Sequence, residues 1–391
     1  MTLSRKALLV GSSFSAVPIF FALKARGLHV SVCGNLQSDP CHQYADASFF
    51  VDYSDRDALL KVVQDNGFDF LVPSCNDYAY MASTWVAAQC GFPGYDSMDA
   101  ASIIHTKGLF RRFTETHSIK APHAVRLSDG DPVEAGTLRA PYLVKPVDSF
   151  SGRGVTRVRK PEALADAVAT ARSSSRSPEV VVEEFIEGSL HSHSAFFSGG
   201  KIVSDFFVDE YCTVYPYQVN CSNHPSRLDE SPREAVREEM RKVVRLAGLS
   251  DGLMHTQFIE REGRVWIIES MRRCPGDLYN KLVEYSTGAP YTDYYVRPFV
   301  GEPLPAPAES PALKYVGRHT ISTAMPTVAF SFSHNLPTAA VRTVPLKNSG
   351  ERLGPAPYDK LAIVFAEFAT REELLAVAPD FARYISIQSP E

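Results

Sequence analysis

What the chain lacks narrows it quickly. It has no CxxC pair, and its seven cysteines are an odd number in a 391-residue chain too large to need disulfide staples, so reduced thiols and a cytoplasmic setting are expected. No apolar run reaches the roughly eighteen residues of a membrane span. The opening "MTLSRKALLVGSSFSAVPIFF" has a basic start followed by apolar residues, but "GSSFS" splits the run and no small-residue cleavage site follows, so strand, turn and helix fit better than a leader. There is no excess of positive charge. Forty Lys and Arg against 45 Asp and Glu leave a formal net charge of -5, which gives no general pull toward nucleic acid or an anionic membrane. Two glycine fingerprints are missing as well. The turn "GSSFSA" lacks the second and third glycines of a dinucleotide site, and GxxxxGK[ST] does not occur. Neither a Ser-His nor a Cys-His constellation for a covalent nucleophile presents itself, and no internal repeat is found.

What is present reads as α/β and then α+β. In the first hundred residues "ALLVG" (7–11), "HVSVCG" (29–34) and "FDFLVPS" (68–74) are buried strands, alternating with helices that Gly27 and Gly67 close, which predicts a parallel sheet. After a basic helix, "TKGLFRRFTETHS", the elements turn antiparallel. Hairpins are expected about Gly199-Gly200 and about Gly263, separated by an aromatic segment and the charged helix "PREAVREEMRKVVRLAG". The expected organisation is an α/β domain over 1–104, a two-lobed region over 105–300 with a small lobe at about 118–185, a proline-rich linker at 301–312, and a small α+β cap over 313–391.

Three stretches carry chemistry. In "LVKPVDSFSGRGVTRV" (143–158), small residues after a strand let backbone N–H groups approach an anion, and Lys145 adds a point charge for phosphate oxygens. Asp148, Ser149, Ser151, Gly152 and Gly154 can thus cover a phosphate, although a glycine-bearing hairpin is also simply a tight turn. "VVVEEFIEG" (180–188) can offer the edge of a purine the backbone of a strand end, with Ile186 on its face; it is equally a core strand with solvated glutamates. In "HTQFIEREGRVWIIESMRRCPGD" (255–277), a turn centred on Gly263 sets Gln257 opposite Glu269, and paired hard oxygens suit Mg²⁺. Arg273 follows, placed to hold a carboxylate or phosphate with its fork, or merely to make a surface salt bridge.

Taken in this order, the three stretches resemble the ATP-grasp superfamily, in particular its carboxylate–amine ligases, over about residues 1 to 300. The resemblance implies the ATP-grasp fold behind a biotin-carboxylase-like N-terminal domain, and ATP and Mg²⁺ as cofactors. It implies Lys107 and Lys145 as phosphate lysines, the 149–154 loop over the triphosphate, and Glu183 with Glu184, Phe185 and Ile186 as the adenine hinge. Gln257 and Glu269 would be metal ligands, with Arg273 and Lys145 catalytic, Arg273 steadying the substrate carboxylate and an acyl phosphate. His191 is also counted among the residues that would meet the nucleotide, and the sequence departs from the family pattern in three ways. Gln257 stands where the first metal glutamate is expected, Met271 where an asparagine is, and Leu190 and His191 where a ribose glutamate is.

The reaction expected on this basis is ATP-driven amide formation through an acyl phosphate, between a small carboxylate and an amine, in a cytoplasmic protein with no nucleic-acid or membrane partner, compatible with a homodimer. Tyr211, Tyr215, Tyr217, Asn220 and His224, polar tips on apolar bodies, suggest an amino-acid or small-peptide pocket; a plain connecting loop reads the same way. Two rivals stand beside it: a carboxylase-type enzyme activating bicarbonate, and a nucleotide-binding protein without turnover, which Gln257 and Met271 make credible.

Overall fold

The computed structural model describes residues 4–148, 152–305, 313–338 and 340–390. At the N-terminus β1 (Lys6–Val10), β2 (His29–Cys33), β3 (Ala47–Phe49) and β4 (Phe70–Pro73) form a parallel sheet in the order β3-β2-β1-β4. The short strands are apolar on both faces because α1 (Val17–Lys24), α2 (Cys41–Tyr44), α3 (Arg56–Asn66) and α4 (Asp77–Cys90) are interleaved with them. Local chemistry sets the helix ends. The Asp55 carboxylate accepts the N–H groups of Asp57 and Ala58 at the start of α3, and Gly67, left-handed at φ 60°, closes it.

Two short helices, α5 (Met98–His105) and α6 (Lys107–Thr116), lead to a small antiparallel sheet of β5 (Ala124–Leu127), β6 (Tyr142–Pro146), β7 (Thr156–Val158) and β8 (Val180–Glu184), ordered β5-β8-β6-β7. Its apolar face buries Val144, Val158, Val180 and Val182 against α7 (Leu164–Ser173).

The centre is an eight-stranded antiparallel sheet. Strands β9 (Ser189–Ser198), β10 (Lys201–Tyr211), β11 (Cys221–His224), β12 (Gly252–Arg261) and β13 (Arg264–Met271) join β14 (Tyr315–Ile321) and, from further along the chain, β17 (Ala340–Pro345) and β19 (Ala362–Phe368). The order is β13-β12-β9-β10-β11-β14-β19-β17. Gly199 and Gly200 turn the first hairpin with φ of 56° and 74°, and Glu262 and Gly263 turn the second. One face of the sheet packs on α8 (Glu230–Ala247) through Phe207, Met254, Phe258 and Ile267. The other packs on α9 (Tyr279–Thr287) and α10 (Tyr291–Val296), whose tyrosines 279, 291 and 295 are fully buried. In the C-terminal region β15 (Thr327–Ala329) pairs β18 (Glu351–Leu353), β16 (Ser331–His334) pairs β20 (Ile385–Gln388), and α11 (Arg371–Val377) covers β14 and β19. The segment expected as a cap thus contributes three strands to the central sheet. All seven cysteines are free, and among the described residues no helix is long and apolar enough to cross a membrane.

Candidate functional site

The small sheet and the central sheet meet through one guanidinium. Arg111 lies on the buried face of α6. Its Nε donates to the Glu183 carboxylate at 2.8 Å, and its terminal nitrogens donate to the Ile267 and Ile268 carbonyls of β13. Lys145, opposite Val181 in the β6–β8 ladder, places its ammonium on the other Glu183 oxygen. Glu183 is buried, and burial alone would raise its carboxyl pKa; Arg111 and Lys145 overcome that and hold it below the ordinary value. Desolvation in turn lowers the Lys145 ammonium, against the pull of Glu183 and of Glu269 across the cleft. The hinge is therefore different from the expectation at Glu183, whose side chain is a counter-ion inside the chain. The N–H groups of Glu184 and Phe185 are also engaged, with the His123 and Pro141 carbonyls at 3.0 and 3.1 Å, so neither donates to a purine. Arg157 lies over the Phe185 ring at 3.7 Å. Half-buried Ile186 and the strand carbonyls remain as the hinge surface. Lys107 opens α6 and is half buried.

Ser149 and Ser151 lie outside the described residues. Gly152 and Gly154 are both left-handed at φ 71°. A Cβ on Gly152 would lie 2.8 Å from the Tyr217 carbonyl oxygen, so only glycine lets this loop approach the 215–217 turn so closely. Asp148 accepts the Arg176 N–H at 3.1 Å, tying the start of the loop to the residues before β8.

On the central sheet Gln257 and Glu269 are register partners. The geometry behind this differs from a turn centred on Gly263. The two-residue turn Glu262-Gly263 pairs Arg261 with Arg264 and Phe258 with Ile267, and a bulge at Ile268 then brings Glu269, rather than Ile268, opposite Gln257. Val265 and Ile267 point into the α8 core, and strict alternation would send Glu269 after them. The bulge turns it to the other face, and Arg111 holds the bulged carbonyl. The Gln257 amide N–H donates to Glu210 on β10 at 2.5 Å, which leaves its carbonyl oxygen as the atom to offer a cation. Glu210 is buried, and desolvation pushes its carboxyl up to about 7. Nothing in the sequence reading singled it out, although an acid inside the apolar run "FFVDEY" is the signal that could have.

Arg273 donates to Asp77 of α4 at 2.8 Å, and Asp77 also meets His105 at 2.8 Å. Against the burial that would raise it, the Arg273 charge holds the Asp77 carboxyl far below the usual range. Its other terminal nitrogen donates to the Cys274 carbonyl at 3.3 Å, and only the buried Nε has no acceptor. Its neighbour Arg272 is a fully internal counter-ion to Asp96, at 2.8 Å.

Four expected ligand-facing residues are spent inside the fold. His191 is fully buried, with one ring nitrogen on Asp209 at 2.8 Å and the other on Ser189 at 2.7 Å. Asn220 staples its own loop, bonding the Thr213 N–H and hydroxyl. His224 bonds Ser286 at 2.7 Å, and burial lowers it to about 4, so it is a neutral core histidine. Tyr211 packs on the C-terminal core. Tyr215 and Tyr217 are half buried beside the 152–154 loop. A separate cavity of about 790 Å³, lined by Arg111, Arg126, Val181 and Trp266 among others, opens behind α6 and excludes Lys145 and Glu269.

Residues 138–279 match the ATP-grasp domain family. A formate-dependent phosphoribosylglycinamide formyltransferase of Synechococcus sp. (strain WH7803) is 30% identical over 203 residues, 48% of this chain and 50% of that protein. The chain thus spans about half the length of that curated relative. An L-amino acid ligase from Bacillus licheniformis superposes over 100% of both chains with a TM-score of 0.83 at 18% identity. The biotin carboxylase domain of Hydrogenobacter thermophilus 2-oxoglutarate carboxylase, solved with MgADP, ADP and bicarbonate, has a TM-score of 0.76 at 17% identity, over 100% of this chain and 92% of that one.

Proposed function

This chain carries an ATP-grasp domain in an ATP-grasp fold, and from that premise we propose that it is an ATP-dependent carboxylate–amine ligase. One observation carries the reading: Lys145 and Glu183 from the small lobe and Arg111 from α6 converge on the strand that holds Glu269. Lys145 then stands within electrostatic reach of the Glu269 carboxylate, positive charge facing a hard oxygen, which is what a triphosphate and its metal require.

Gln257 and Glu269 would hold Mg²⁺, and their chemistry fits it: an amide carbonyl and a carboxylate are hard oxygens, and the buried Met271 thioether nearby is one the ion ignores. When bound, the ion would neutralise charge on the phosphate oxygens. In the proposed reaction the substrate carboxylate attacks the γ-phosphorus of ATP, the bond to the β-phosphate oxygen breaks and ADP leaves. An amine then attacks the acyl carbon, and the C–N bond forms as phosphate departs. Lys145 supplies positive charge to the transferring group, and Arg273, whose terminal nitrogens meet Asp77 and the Cys274 carbonyl, would turn toward the carboxylate and acyl phosphate once they are bound. With Asn220 and His224 withdrawn, the aromatic segment no longer argues for an amino acid. The acid is a small one, within the span from formate to an amino acid that the relatives' names cover.

Arg273→Lys tests this. It keeps charge and loses the fork, so ADP affinity by calorimetry should barely move. Acyl phosphate trapped as hydroxamate should fall by about two to four kcal/mol in barrier terms, as for one partner of a desolvated charge pair. Equal losses in both assays would make Arg273 a nucleotide or structural residue. Phosphate release driven by bicarbonate alone would favour the carboxylase reading.

A further inference from the structure

The small sheet ends at β5 and the central sheet at β13. The segment from α6 to β5 crosses between these two edges, the Lys120 carbonyl accepting the Ile267 N–H at 2.7 Å. Beside this crossing lies the cavity of about 790 Å³, within the roughly 300–1,000 Å³ usual for small-molecule sites. Arg111 stands between it and the cleft: the guanidinium lines the cavity, and its nitrogens are committed to Glu183 and to the Ile267 and Ile268 carbonyls. Lys145 holds the other Glu183 oxygen and does not line the cavity. The lining is basic although the chain carries a net charge of -5. Arg111, Arg112, Lys120, Arg126 and Arg264 border it, with Glu115 the one acid among them. Lys120 and Arg126 have partners outside the lining, Glu239 at 3.9 Å and Glu179. Arg126 lies across α6 where Gly108 gives it room, since a Cβ there would be 3.3 Å from its Nε.

Arg112 on α6 and Arg264 on β13 are exposed, and neither meets a carboxylate among the described residues. A single exposed arginine is merely solvated, but concave walls lined by one sign of charge focus the field on an ion of the other sign. The half-buried indole of Trp266, also on β13, lines the same cavity and offers a ring face. We infer that this cavity is a second ligand site, separate from the cleft, for a small organic phosphate with a planar body. The phosphate meets the forks of Arg112 and Arg264, which match its oxygens in pairs, and the planar group lies against Trp266. A carboxylate would neutralise one of the two free guanidiniums; a phosphate dianion answers both.

The test is Trp266 emission in the full chain carrying Trp85→Phe, which leaves Trp266 as the only indole, with calorimetry on wild type beside it. Phenyl phosphate joins a ring to a dianion, while inorganic phosphate and benzyl alcohol each carry one half of that chemistry. Phenyl phosphate should change the emission saturably and bind at least about tenfold more tightly than either half. Arg112→Ala combined with Arg264→Ala, both at exposed positions, should lower its affinity about tenfold or more, the size of one lost charged hydrogen bond, and leave Mg-ADP affinity within about twofold. No saturable change in emission, an unaltered affinity in the double variant, or benzyl alcohol binding as tightly as phenyl phosphate would overturn the assignment. So would a parallel loss of phenyl phosphate and Mg-ADP affinity, since the arginines would then serve the cleft. Inorganic phosphate binding as tightly as phenyl phosphate would overturn the role given to Trp266. The measurement involves no turnover, so it stands or falls apart from the ligase reading.

Discussion

At the scale of single residues, the sequence exposes charge and conceals partners. Lys145 and Glu183 are conspicuous in "LVKP" and "VVVEE", but that they neutralise each other with Arg111 depends on α6 packing on β8, which no local pattern encodes. The same blindness explains His191, Asn220 and His224. A polar residue in or beside a strand reads as an available ligand until the structure shows it buried and hydrogen-bonded within the fold. Two expectations follow. Glu183→Gln leaves Arg111 and Lys145 buried beside a neutral amide, so urea denaturation should show a loss of about 3–5 kcal/mol. A loss under 1 kcal/mol would mean that water already screens the pair. Glu269→Gln leaves two neutral amides at the proposed metal position. Mg-ATP turnover should fall about a hundredfold, charge stabilisation by a bound metal being worth several kcal/mol. Unchanged turnover would move the metal elsewhere.

Among elements, periodicity made the strands and both hairpins legible, because Gly199-Gly200 and Glu262-Gly263 sit between alternating runs. The parallel N-terminal sheet followed from the same signal, apart from β3, whose three residues are too short to announce themselves. The bulge at Ile268 was not legible. Alternation through Val265 and Ile267 continues onto Glu269, and only the observed ladder shows the phase change that carries the glutamate from the α8 core to the cleft. The connection from the hinge to β9 is set as tightly. Gly188 is exposed, but a Cβ on it would lie 2.4 Å from the Glu260 carbonyl oxygen of β12, a backbone atom with no freedom to withdraw. Gly188→Ala should therefore displace the 184–188 segment while leaving the core intact. The expected result is an ADP affinity lowered by about tenfold, or roughly 1.4 kcal/mol, with a melting temperature close to wild type. A normal affinity would show that the hinge does not form the nucleotide wall.

The whole molecule departs furthest from a reading by segments. The proline-rich stretch at 301–312 looks like a domain boundary, yet β14 beyond it pairs with β11 on one side and β19 on the other, inside one continuous sheet. One apolar cluster takes in Leu9 and Phe20 from the N-terminal sheet, Phe206 and Val208 from the centre, Tyr279 and Tyr291 from α9 and α10, and Val316 and Phe365 from the C-terminal strands. Across the same joins, Arg272 reaches Asp96, Arg273 reaches Asp77, and Lys360 reaches Asp277. Contacts of this kind bury apolar surface worth about 25 cal/mol per Å² and leave charged groups unpaired if separated, so the parts should not unfold independently. Two measurements check this. Urea unfolding followed by Trp85 and Trp266 fluorescence and by far-ultraviolet circular dichroism should give coincident single transitions. Residues 1–305 and 313–391 produced together as separate chains should co-purify, because β14 completes the sheet edge at β11 and α9 packs on β14. Two resolved transitions, or a 1–305 piece that stays monodisperse alone, would make the C-terminal region an independent unit.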